Sequence, residues 1–538
     1  MPRLLTALAA VLALAATACG TSGTTAGGSG PGRRLTIALE TEPDCLDPQV
    51  SAFDVTAAVG RNVYDSLVYQ AEDGSLHPWL ATAWDVSPDG LAYTFTLASG
   101  IVFHDGTPFT AEAVKATLDH TVAPATKSQY AAGLLTAYAG TDILDERTVR
   151  VRLKEPFVPL LQVLSTATLG IQSPTQLRDN AGKLCQAPVG TGPFTFRSWT
   201  RNREIVLDRN PAYQWGPPGA AHTGPARLAG LVIKTIPEAA VRYGSLTSGQ
   251  IDILGTLPAA HVGDLKHSDD FRFLSYPQPG AVFSLFLNPY RAPFDDERVR
   301  TAFQRALRLD QLVDAIYSGR YQRAWNVLSP TTPGYSPALE NTWPYDPDYA
   351  ARLLDEAGWT ERDADGYRTK DGKRLTVHWP YTAKFLRDQR DILGQGIQAE
   401  AKRAGIDLRF EAQDPGTYVK NALSKNADIL AFSWTRAEPD ILRSYFASDQ
   451  TAQKGGSNTF GYNVPELDAW THEAAANPDP AVRAADYDRV QRYVVEHAFV
   501  VPIYVPTYLA GTSDDVDGLV FDAQAYLRFY DASFKGAP

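Results

Sequence analysis

Two kinds of apolar pattern along the chain predict β-strands. Apolar and polar residues alternate in some segments, which predicts strands with one buried face. Other segments are apolar without interruption, which predicts strands buried on both faces. The strands predicted from these patterns are 35–40, 93–97, 101–109, 148–153, 194–199, 203–210, 228–236, 406–413, 429–434 and 499–506. The pair 194–199 and 203–210 is close enough in sequence to form a hairpin.

Apolar residues recur at helical spacing in other segments, and residues that start or stop helices flank them. The predicted helices are 111–120, two within 288–319, 346–359, 387–405 and 480–498. The predicted caps are Thr110, Asp295 or Asp296, Asp310 and Asp346, and the predicted stops are Gly319 and Gly358. Segment 363–381 contains Asp-Gly turns and predicts a hairpin.

The order of these elements predicts an α/β fold. Strands dominate up to about residue 290, where helices become frequent. From residue 346 onward, helices and strands alternate with short connections, which indicates an open α/β sheet. The final segment, 518–531, has the pattern of ordered structure rather than of a tail.

Length and composition restrict the class of protein. The 538 residues are enough for several cores, roughly three or four at the usual domain size. With 44% hydrophobic and 21% charged residues, the chain has the composition of a globular protein. Its formal net charge of −11 argues against nucleic-acid binding, because there is no basic excess to neutralise phosphates.

The first 33 residues predict export and attachment to a membrane. Arg3 precedes an apolar run that ends in small residues before Cys19, which is typical of a secretory signal peptide at 1–18. A cysteine at this place resembles the lipobox of bacterial lipoproteins, which implies lipidation of Cys19. The alternative is ordinary cleavage near Ala18 and a soluble product. Segment 19–33 is rich in Gly, Ser and Thr and predicts a flexible tether of roughly 20 Å.

The two remaining cysteines, Cys45 and Cys185, predict one disulfide, because an even pair in an oxidising compartment is usually bridged. The alternative is two buried, unpaired thiols. No later segment is long and apolar enough to predict a membrane span.

Seven motifs, in a fixed order, resemble one family. The motifs are LDP at 46–48, FHDGTPFTAEAV at 103–114, PVGTGPF at 188–194, FDDERVRTAFQRAL at 294–307, AARLLDEAGW at 350–359, GYNVPELDAW at 461–470 and VVPIYVP at 500–506. Together they resemble the large solute-binding proteins of peptide and nickel ABC importers, of the dipeptide- and oligopeptide-binding type. The resemblance covers the chain from Arg34 to its end.

The resemblance implies a two-lobe periplasmic-binding-protein-like fold of the large class, with two hinge crossovers. Its expected divisions are lobe I at 34–287, with an extra subdomain at about 60–180, lobe II at 288–500, and a return segment at 501–538 that packs on lobe I. It also implies an extracytoplasmic, lipid-anchored monomer. This protein would capture a peptide or peptide-like solute and deliver it to an ABC permease and ATPase.

Several motifs have structural rather than chemical explanations. Segment 188–194 predicts a Gly-Pro turn and not a phosphate loop, because no Gly-Lys-Ser/Thr follows it. His104 is expected to be a packed turn residue and not a metal ligand. The chain has no GxSxG, HExxH or Walker A motif, and its nine histidines are scattered. We therefore predict neither an enzyme nor a metal site, and no cofactor.

The strand 429–434 predicts the ligand site, because ligands of open α/β sheets bind beyond the carboxyl ends of strands. Phe432, Trp434 and Arg436 alternate along the chain and are expected to share one face. An aromatic ring offers an apolar platform, and an arginine can clamp a carboxylate. In peptide-binding relatives, this segment has Trp, two residues and then an Asp that binds the free amine. Here Ala437 stands at that place.

Two interpretations of Arg436 follow. It pairs with Glu438 or Asp440 as part of the scaffold, or it donates to an anionic or carbonyl group of the solute. In the second case, Glu438 or a residue of the first lobe replaces the missing Asp. Asp440 is expected to cap a helix.

The resemblance implies a few further contacts. Ala52, Phe53 and Asp54 match the first-lobe loop that reaches the ligand in relatives, and Asp54 could bind an amine. Tyr381 and Phe385 match a loop that supplies an apolar contact. Binding of an oligosaccharide or a metal chelate for import, or a sensing role on the same scaffold, remain alternatives at this stage.

Overall fold

The computed structural model describes residues 32–383, 386–451, 454 and 456–536. Its strands, in chain order, are β1 Arg34–Leu39, β2 Val68–Gln70, β3 Leu76–Pro78, β4 Ala81–Val86, β5 Ala92–Leu97, β6 Tyr138–Asp145, β7 Thr148–Leu153, β8 Phe194–Thr200, β9 Glu204–Arg209, β10 Gly230–Thr235, β11 Ile253–Gly255, β12 Phe271–Pro277, β13 Gly280–Leu287, β14 Glu361–Arg362, β15 Arg368–Lys370, β16 Lys373–Arg374, β17 Thr376–Tyr381, β18 Asp407–Ala412, β19 Ile429–Thr435, β20 Val500–Tyr504, β21 Thr507–Ser513, β22 Val516–Asp517, β23 Val520–Phe521, β24 Leu527–Arg528 and β25 Ser533–Phe534.

The helices are α1 Asp54–Gly60, α2 Ala111–Val122, α3 Leu160–Val163, α4 Pro174–Asp179, α5 Ala239–Thr247, α6 Val262–Lys266, α7 Glu297–Arg305, α8 Leu309–Tyr317, α9 Pro347–Glu356, α10 Arg390–Arg403, α11 Pro415–Leu423, α12 Ile441–Phe446, α13 Pro465–Ala476 and α14 Pro480–Glu496. Short 3₁₀ segments lie at Pro124–Thr126, Ala131–Leu135, Ala167–Leu169, Ala181–Lys183, Ala259–His261 and Pro337–Leu339. No helix of the described ranges is long and apolar enough to cross a membrane.

A seven-stranded sheet in the order β12-β21-β11-β1-β10-β9-β8 contains strands from both ends of the chain. Strand β1 lies near its middle and pairs in parallel with β10 and β11. The alternation at 35–40 is confirmed, since Leu35 and Ile37 are buried in the core of this sheet. Strand β21 enters the sheet between β11 and β12, so residues after 506 complete a sheet that begins at residue 34.

An antiparallel sheet in the order β4-β5-β7-β6 lies within the segment 60–180 and packs around its own apolar core. Helix α2 contributes Val114 and Leu118 to this core, and both side chains are fully buried. The alternating strand predicted at 148–153 is β7, which buries Val149 and Val151 on one face.

A third sheet, in the order β19-β13-β20, is antiparallel and supports the core of residues 281–504. Strand β13 is buried along its whole length. The predicted open sheet is confirmed only in β17 and β18. These two strands precede and follow α10 in the chain and pair in parallel. Strand β19 belongs to the antiparallel sheet because it pairs with β13, a strand that lies far earlier in the chain.

The chain passes between the seven-stranded and three-stranded sheets at two adjacent places, 278–279 and 505–506. These two segments are joined, because the Gln278 amide donates to the Pro506 carbonyl at 2.8 Å. The predicted boundaries at 287 and 500 lie away from these passages, since β13 and β20 both pair within the three-stranded sheet. The division of the chain into lobes itself stays a prediction.

The predicted helix caps were mostly at the right positions. The Asp296 and Asp346 side chains accept backbone N–H groups of α7 and α9, as predicted. Thr110 precedes α2 but forms no side-chain cap. The prediction for Asp310 is wrong, because α8 begins at Leu309.

The turn motifs at 103–109 and 188–194 have structural roles. Segment 101–109 forms a turn and not the predicted strand, with one isolated bridge between Val102 and Pro108. His104 is packed, and its Nε2 lies 2.9 Å from the Gly192 carbonyl. Burial lowers the pKa of His104 to about 4, so this ring is neutral at pH 7. A Cβ on Gly190 would lie 2.1 Å from the Val63 carbonyl oxygen, which explains the glycine there.

A disulfide joins Cys45 and Cys185 in the structure, with Cα atoms 4.3 Å apart. The neighbouring Leu46 amide donates to the Cys185 carbonyl at 3.0 Å, so backbone and side chain tie the same two segments. The predicted signal peptide at 1–18, Cys19 and nearly all of the tether at 19–33 lie outside the described residues.

Candidate ligand-binding site

A cavity of about 570 Å³ lies where segments from distant parts of the chain meet. One wall is formed by the loop before α1 and the first turn of this helix, and another by the end of β19 and the residues after it. The segments 130–134, 162–168 and 524–526 contribute further lining residues. The end of β19 is the strand end that the sequence pointed to.

The chain passage at 278–279 fixes the end of β19. Gly280 pairs with Thr435, and the Arg436 amide donates to the Pro279 carbonyl at 3.2 Å. Gly280 has φ +102, and a Cβ there would lie 2.3 Å from the Trp434 carbonyl oxygen. This close approach requires glycine and places Trp434 and Arg436 directly against one of the two chain passages.

Trp434 lines the cavity and packs against Tyr130 with ring centroids 4.7 Å apart and an interplanar angle of 39°. Phe432 is not among the residues that line it, and its contact with a ligand stays a prediction. The Phe432 ring stacks on Phe286 at 4.1 Å and also contacts Tyr445, so it completes the core of the three-stranded sheet. The pairing register between β13 and β19 shifts between Trp434, which pairs with Ala281, and Phe432, which pairs with Ser284.

Arg436 also lines the cavity, although only 3% of it is exposed. Its Nη2 lies 3.5 Å from Glu438 Oε2 and 3.7 Å from Asp440 Oδ2, and its Nη1 donates to Ser444 Oγ at 3.3 Å. Nη2 has no hydrogen-bond partner among the described residues. The scaffold pairing is therefore present, and one donor of the guanidinium is still unused.

Arg436 keeps its positive charge although it is buried. Burial alone would lower its pKa, but the nearby Tyr130, Glu438 and Asp440 outweigh burial and raise it. Arg436 is therefore a permanent cation at the cavity wall, held without direct hydrogen bonds to either carboxylate.

Glu438 is a buried carboxyl group between two arginines. Its Oε1 accepts from Arg483 Nη2 at 2.9 Å, and its Oε2 accepts from the Asp440 amide at 2.5 Å. Burial, followed by the charge of Asp440, raises the pKa of Glu438 to about 7. This carboxyl group can therefore change its protonation state near neutral pH.

Asp440 precedes α12 but does not cap it with its side chain, contrary to the prediction. Its carboxylate instead accepts from Arg443 Nε at 3.0 Å and from the Tyr487 hydroxyl at 3.1 Å. Asp440 is fully buried, and the guanidinium of Arg443 balances its charge inside the core.

Ala52, Phe53 and Asp54 all line the cavity, from the start of α1. Asp54 is not an isolated carboxylate. Its Oδ2 lies 3.2 Å from Arg387 Nη1, and its Oδ1 accepts from the Tyr526 hydroxyl at 3.4 Å. The structure thus gives Asp54 a cationic partner from the segment before α10, which the sequence did not single out.

The apolar contact that was predicted near residue 381 does not form part of the cavity wall. Tyr381 stacks on Phe410 with ring centroids 4.1 Å apart, and it is not among the residues that line the cavity. Trp379 is buried in the core and packs on the same ring. Phe385 lies outside the described residues.

Tyr130, Gln70 and Tyr526 are among the cavity residues that the sequence did not point to. Gln70 donates from Nε2 to the Ala437 carbonyl at 2.9 Å, so it spans the same junction as the Trp434–Tyr130 contact. None of the three lies in a motif that the sequence analysis used. Only the aromatic character of the two tyrosines was a signal that could have found them.

A scan against family models matches residues 75–456 to the model described as bacterial extracellular solute-binding proteins, family 5 Middle. The chain belongs to family 5 of the bacterial extracellular solute-binding proteins. The resemblance seen in the seven motifs is thereby confirmed, and the protein is an extracytoplasmic solute-binding protein.

Curated relatives of this family 5 protein match it over nearly its whole length. The probable D,D-dipeptide-binding periplasmic protein DdpA of Escherichia coli K12 is 27% identical over 508 residues, 91% of this chain and 92% of the relative. The glutathione-binding protein GsiB of the same strain is 26% identical over 509 residues, 93% of this chain and 94% of the relative.

Solved structures confirm the fold of this family 5 protein. The periplasmic binding protein DppA from Helicobacter pylori, in complex with the peptide STSA, has a TM-score of 0.79 and 26% identity, and the match covers 94% of this chain and 98% of that chain. NikA from Brucella suis, in complex with Fe(III)-EDTA, has a TM-score of 0.81 and 24% identity, with 93% and 100% covered. The two-lobe class predicted from the sequence is therefore the right one.

Proposed function

We propose that this protein captures a peptide or peptide-like solute in the cavity at Trp434 and Arg436 and delivers it to the permease and ATPase of an ABC importer. The observation that carries the proposal is the unused Nη2 donor of Arg436, which is buried at the cavity wall beside an aromatic ring. A buried donor without a partner costs free energy, and a carboxylate or carbonyl of the solute would satisfy it.

The charges around the cavity suit a zwitterionic solute. Arg436 supplies a permanent positive charge, while Glu438 and Asp54 supply carboxyl groups nearby. In this proposal, Glu438 takes the part of the amine-binding Asp that is missing after Trp434. An amine beside Glu438 would favour its ionised form, so solute binding and proton release would be linked.

The names of relatives support a peptide-like ligand. DdpA is named for D,D-dipeptides, GsiB for glutathione, and the solved DppA structure contains the peptide STSA. These ligands share amide bonds, amines and carboxylates. Identities of 26–27% place this chain among such proteins but leave the choice of peptide to its own cavity.

The proposal includes closure of two lobes over the solute. The contacts Asp54–Arg387, Gln70–Ala437 and Tyr130–Trp434 each join segments that pack in different cores. The chain passages at 278–279 and 505–506 lie side by side and would act as the hinge. A solute that contacts both sides would shift the population towards the closed form.

A calorimetric titration of the full chain with peptide pools of defined length, from dipeptides to pentapeptides, tests the substrate class. We expect saturable binding to at least one pool. Oligosaccharides and metal chelates serve as the comparison ligands. Binding of a sugar or a chelate and of none of the peptide pools would contradict the proposal.

We further propose that Cys19 carries the lipid that anchors the protein. The support is the sequence at 1–19, together with a family defined by extracellular solute binding. The full chain expressed in a bacterial host should partition into the detergent phase, and the Cys19→Ser variant into the aqueous phase. Equal partitioning of both proteins would contradict lipidation at Cys19.

A further inference from the structure

A second cavity, of about 280 Å³, adjoins the one described above. Gln70 and Gln524 line both cavities, so they form the wall that the two share. The second cavity is also lined by the aromatic rings of Tyr69 and Trp79, whose centroids are 6.1 Å apart in an edge-to-face arrangement. Two arginines, Arg61 and Arg528, complete its charged wall.

The first of these arginines is fully engaged by the protein. Arg61 Nε pairs with Asp522 Oδ2 at 3.0 Å, its Nη1 donates to Ser66 Oγ at 3.0 Å, and its Nη2 donates to the Ser165 carbonyl at 2.8 Å. Asp522 Oδ1 also accepts the backbone amides of Gln524 and Tyr526. Arg61 and Asp522 therefore neutralise each other, and neither needs a ligand.

The second arginine is different. Arg528 is only 8% exposed, and its buried Nε and Nη1 have no hydrogen-bond partner among the described residues. Its guanidinium lies over the Tyr69 ring, with Cζ 5.3 Å from the centroid. A cation–π contact replaces only part of the hydration that a buried cation loses. The cavity thus contains one guanidinium that forms no ion pair within the part of the chain that the structure describes.

The backbone holds this charge in a fixed place. Arg528 lies in β24 and pairs with Val520 of β23, in a tight hairpin. The turn of that hairpin is closed by the Asp522 carboxylate, which accepts the Gln524 and Tyr526 amides. The guanidinium therefore extends from a short ordered element rather than from a mobile loop, as a binding group should.

We propose that the second cavity is an acidic subsite, in which Arg528 binds a carboxylate carried by the solute, beyond the group that meets Arg436. The inference rests on the proposed function and deepens it, since it assigns a chemical class to one part of the solute. The carboxylate pairs with Arg528, and the Tyr69 and Trp79 rings contact the apolar stem that carries it. Solutes with an acidic side chain bind in preference to their neutral isosteres.

Matched peptides test this preference. The probes are Ala-Glu and Ala-Ala-Glu, compared with Ala-Gln and Ala-Ala-Gln, titrated into the full chain. We expect the acidic peptides to bind about tenfold more tightly than their isosteres, which is typical of one charge-assisted hydrogen bond. In the Arg528→Gln variant, this ratio should fall to near 1. The control variant Arg178→Gln, at an exposed position on α4, should keep the ratio of the wild type.

An Arg528→Gln variant that keeps the wild-type ratio overturns the acidic subsite, and so does a wild-type protein that binds both peptides of each pair equally. If none of the peptides binds the wild type, the proposed function fails in this respect. The subsite is then judged by a measurement that needs no ligand.

That measurement is the thermal stability of the ligand-free full chain with Arg528→Met. A buried charge kept for binding costs stability, and its replacement by an apolar side chain of similar length is neutral or stabilising. We therefore expect a melting temperature equal to or above that of the wild type. A fall of several degrees would show that the guanidinium holds the fold together, and it would overturn the subsite.

Discussion

The indole of Trp434 packs against the ring of Tyr130 at the wall of the larger cavity, with centroids 4.7 Å apart. Trp434 lies in the three-stranded sheet, and Tyr130 lies beside the core of the four-stranded sheet. The two rings therefore close one side of the cavity from opposite walls. A solute that occupies the cavity has to lie against these rings or displace one from the other.

Trp434 and its neighbour Phe432 should respond differently to truncation. Trp434→Ala removes a cavity wall, and we expect peptide affinity to fall by about tenfold or more, with a smaller loss of stability. Phe432→Ala removes a ring stacked on Phe286 inside the core, so we expect a loss of about 3–5 kcal/mol in unfolding free energy. Calorimetric titration and urea unfolding of both variants measure this. A reversed pattern would move the site away from Trp434.

Arg436→Gln tests the clamp itself. A charge-assisted hydrogen bond contributes about 1.5–3 kcal/mol, so we expect the dissociation constant to rise by about tenfold or more. Arg178→Gln, at an exposed position, serves as the control and should bind like the wild type. An unchanged dissociation constant in a folded Arg436→Gln protein would assign the guanidinium to its scaffold contacts with Glu438 and Asp440 alone.

Glu438 should make the unfolding free energy depend on pH, and comparison of the wild type with Glu438→Gln measures this dependence. Its pKa is about 7 in the folded chain and 4.5 in its ordinary state, so the folded state holds the extra proton between these values. Its stabilising contribution is complete below the ordinary pKa and is lost as pH rises through about 7. The unfolding free energy of the wild type minus that of Glu438→Gln should therefore fall between about pH 5 and about pH 7.5.

The difference between the two proteins isolates this group. Burial also raises the pKa of Asp65, to about 6, but Asp65 is present in both proteins and its contribution cancels. Urea unfolding at several pH values gives the comparison. A difference that stays flat or rises with pH would contradict the protonation proposed for Glu438.

Gly280→Ala tests the link between a chain passage and the site. The new Cβ would lie 2.3 Å from the Trp434 carbonyl oxygen, at a backbone conformation that alanine rarely adopts. We expect lower stability and a marked loss of peptide affinity, because the end of β19 has to shift. Gly263→Ala is the matched control, since a Cβ there meets nothing within 4 Å. Equal behaviour of the two variants would contradict the link.

The Asp54–Arg387 ion pair should slow the release of the bound solute. Both side chains are partly exposed, so the pair adds little to stability. We expect Arg387→Gln to release bound peptide several-fold faster, since the pair joins segments that pack in different cores, with less change in the association rate. Stopped-flow release from the single variants and from Asp54→Asn/Arg387→Gln gives the coupling. Additive effects of the two substitutions would show that the pair does not act as a unit.

Much of the fold, and several residues that line the cavity, could be predicted from the sequence. Local patterns identified β1, β7 and α9, because their burial follows their own periodicity. The strand pattern at 429–434 pointed to Trp434 and Arg436, the family resemblance pointed to the loop at 52–54, and all of them line the cavity. These residues lie at ends of elements that the sequence marks by itself.

Other parts depend on pairing between distant segments, which no local pattern encodes. Phe432 shares its strand with Trp434, but its place is set by Phe286 of β13, far earlier in the chain. Likewise, Tyr130 and Arg528 reach the two cavities only because remote segments pack together. The predicted boundaries at 287 and 500 differ from the passages at 278–279 and 505–506 for the same reason, since sheet membership decides where the chain leaves one sheet for the other.

The proposal that this protein captures a peptide or peptide-like solute is tested by identifying the solute that it carries. Native mass spectrometry of the purified full chain, with release and fragmentation of whatever co-purifies, determines it without choosing a ligand in advance. We expect a ladder of peptide masses, and their composition would give the length that the cavity accepts. A single defined non-peptide mass, such as a sugar or a metal chelate, would contradict the proposal.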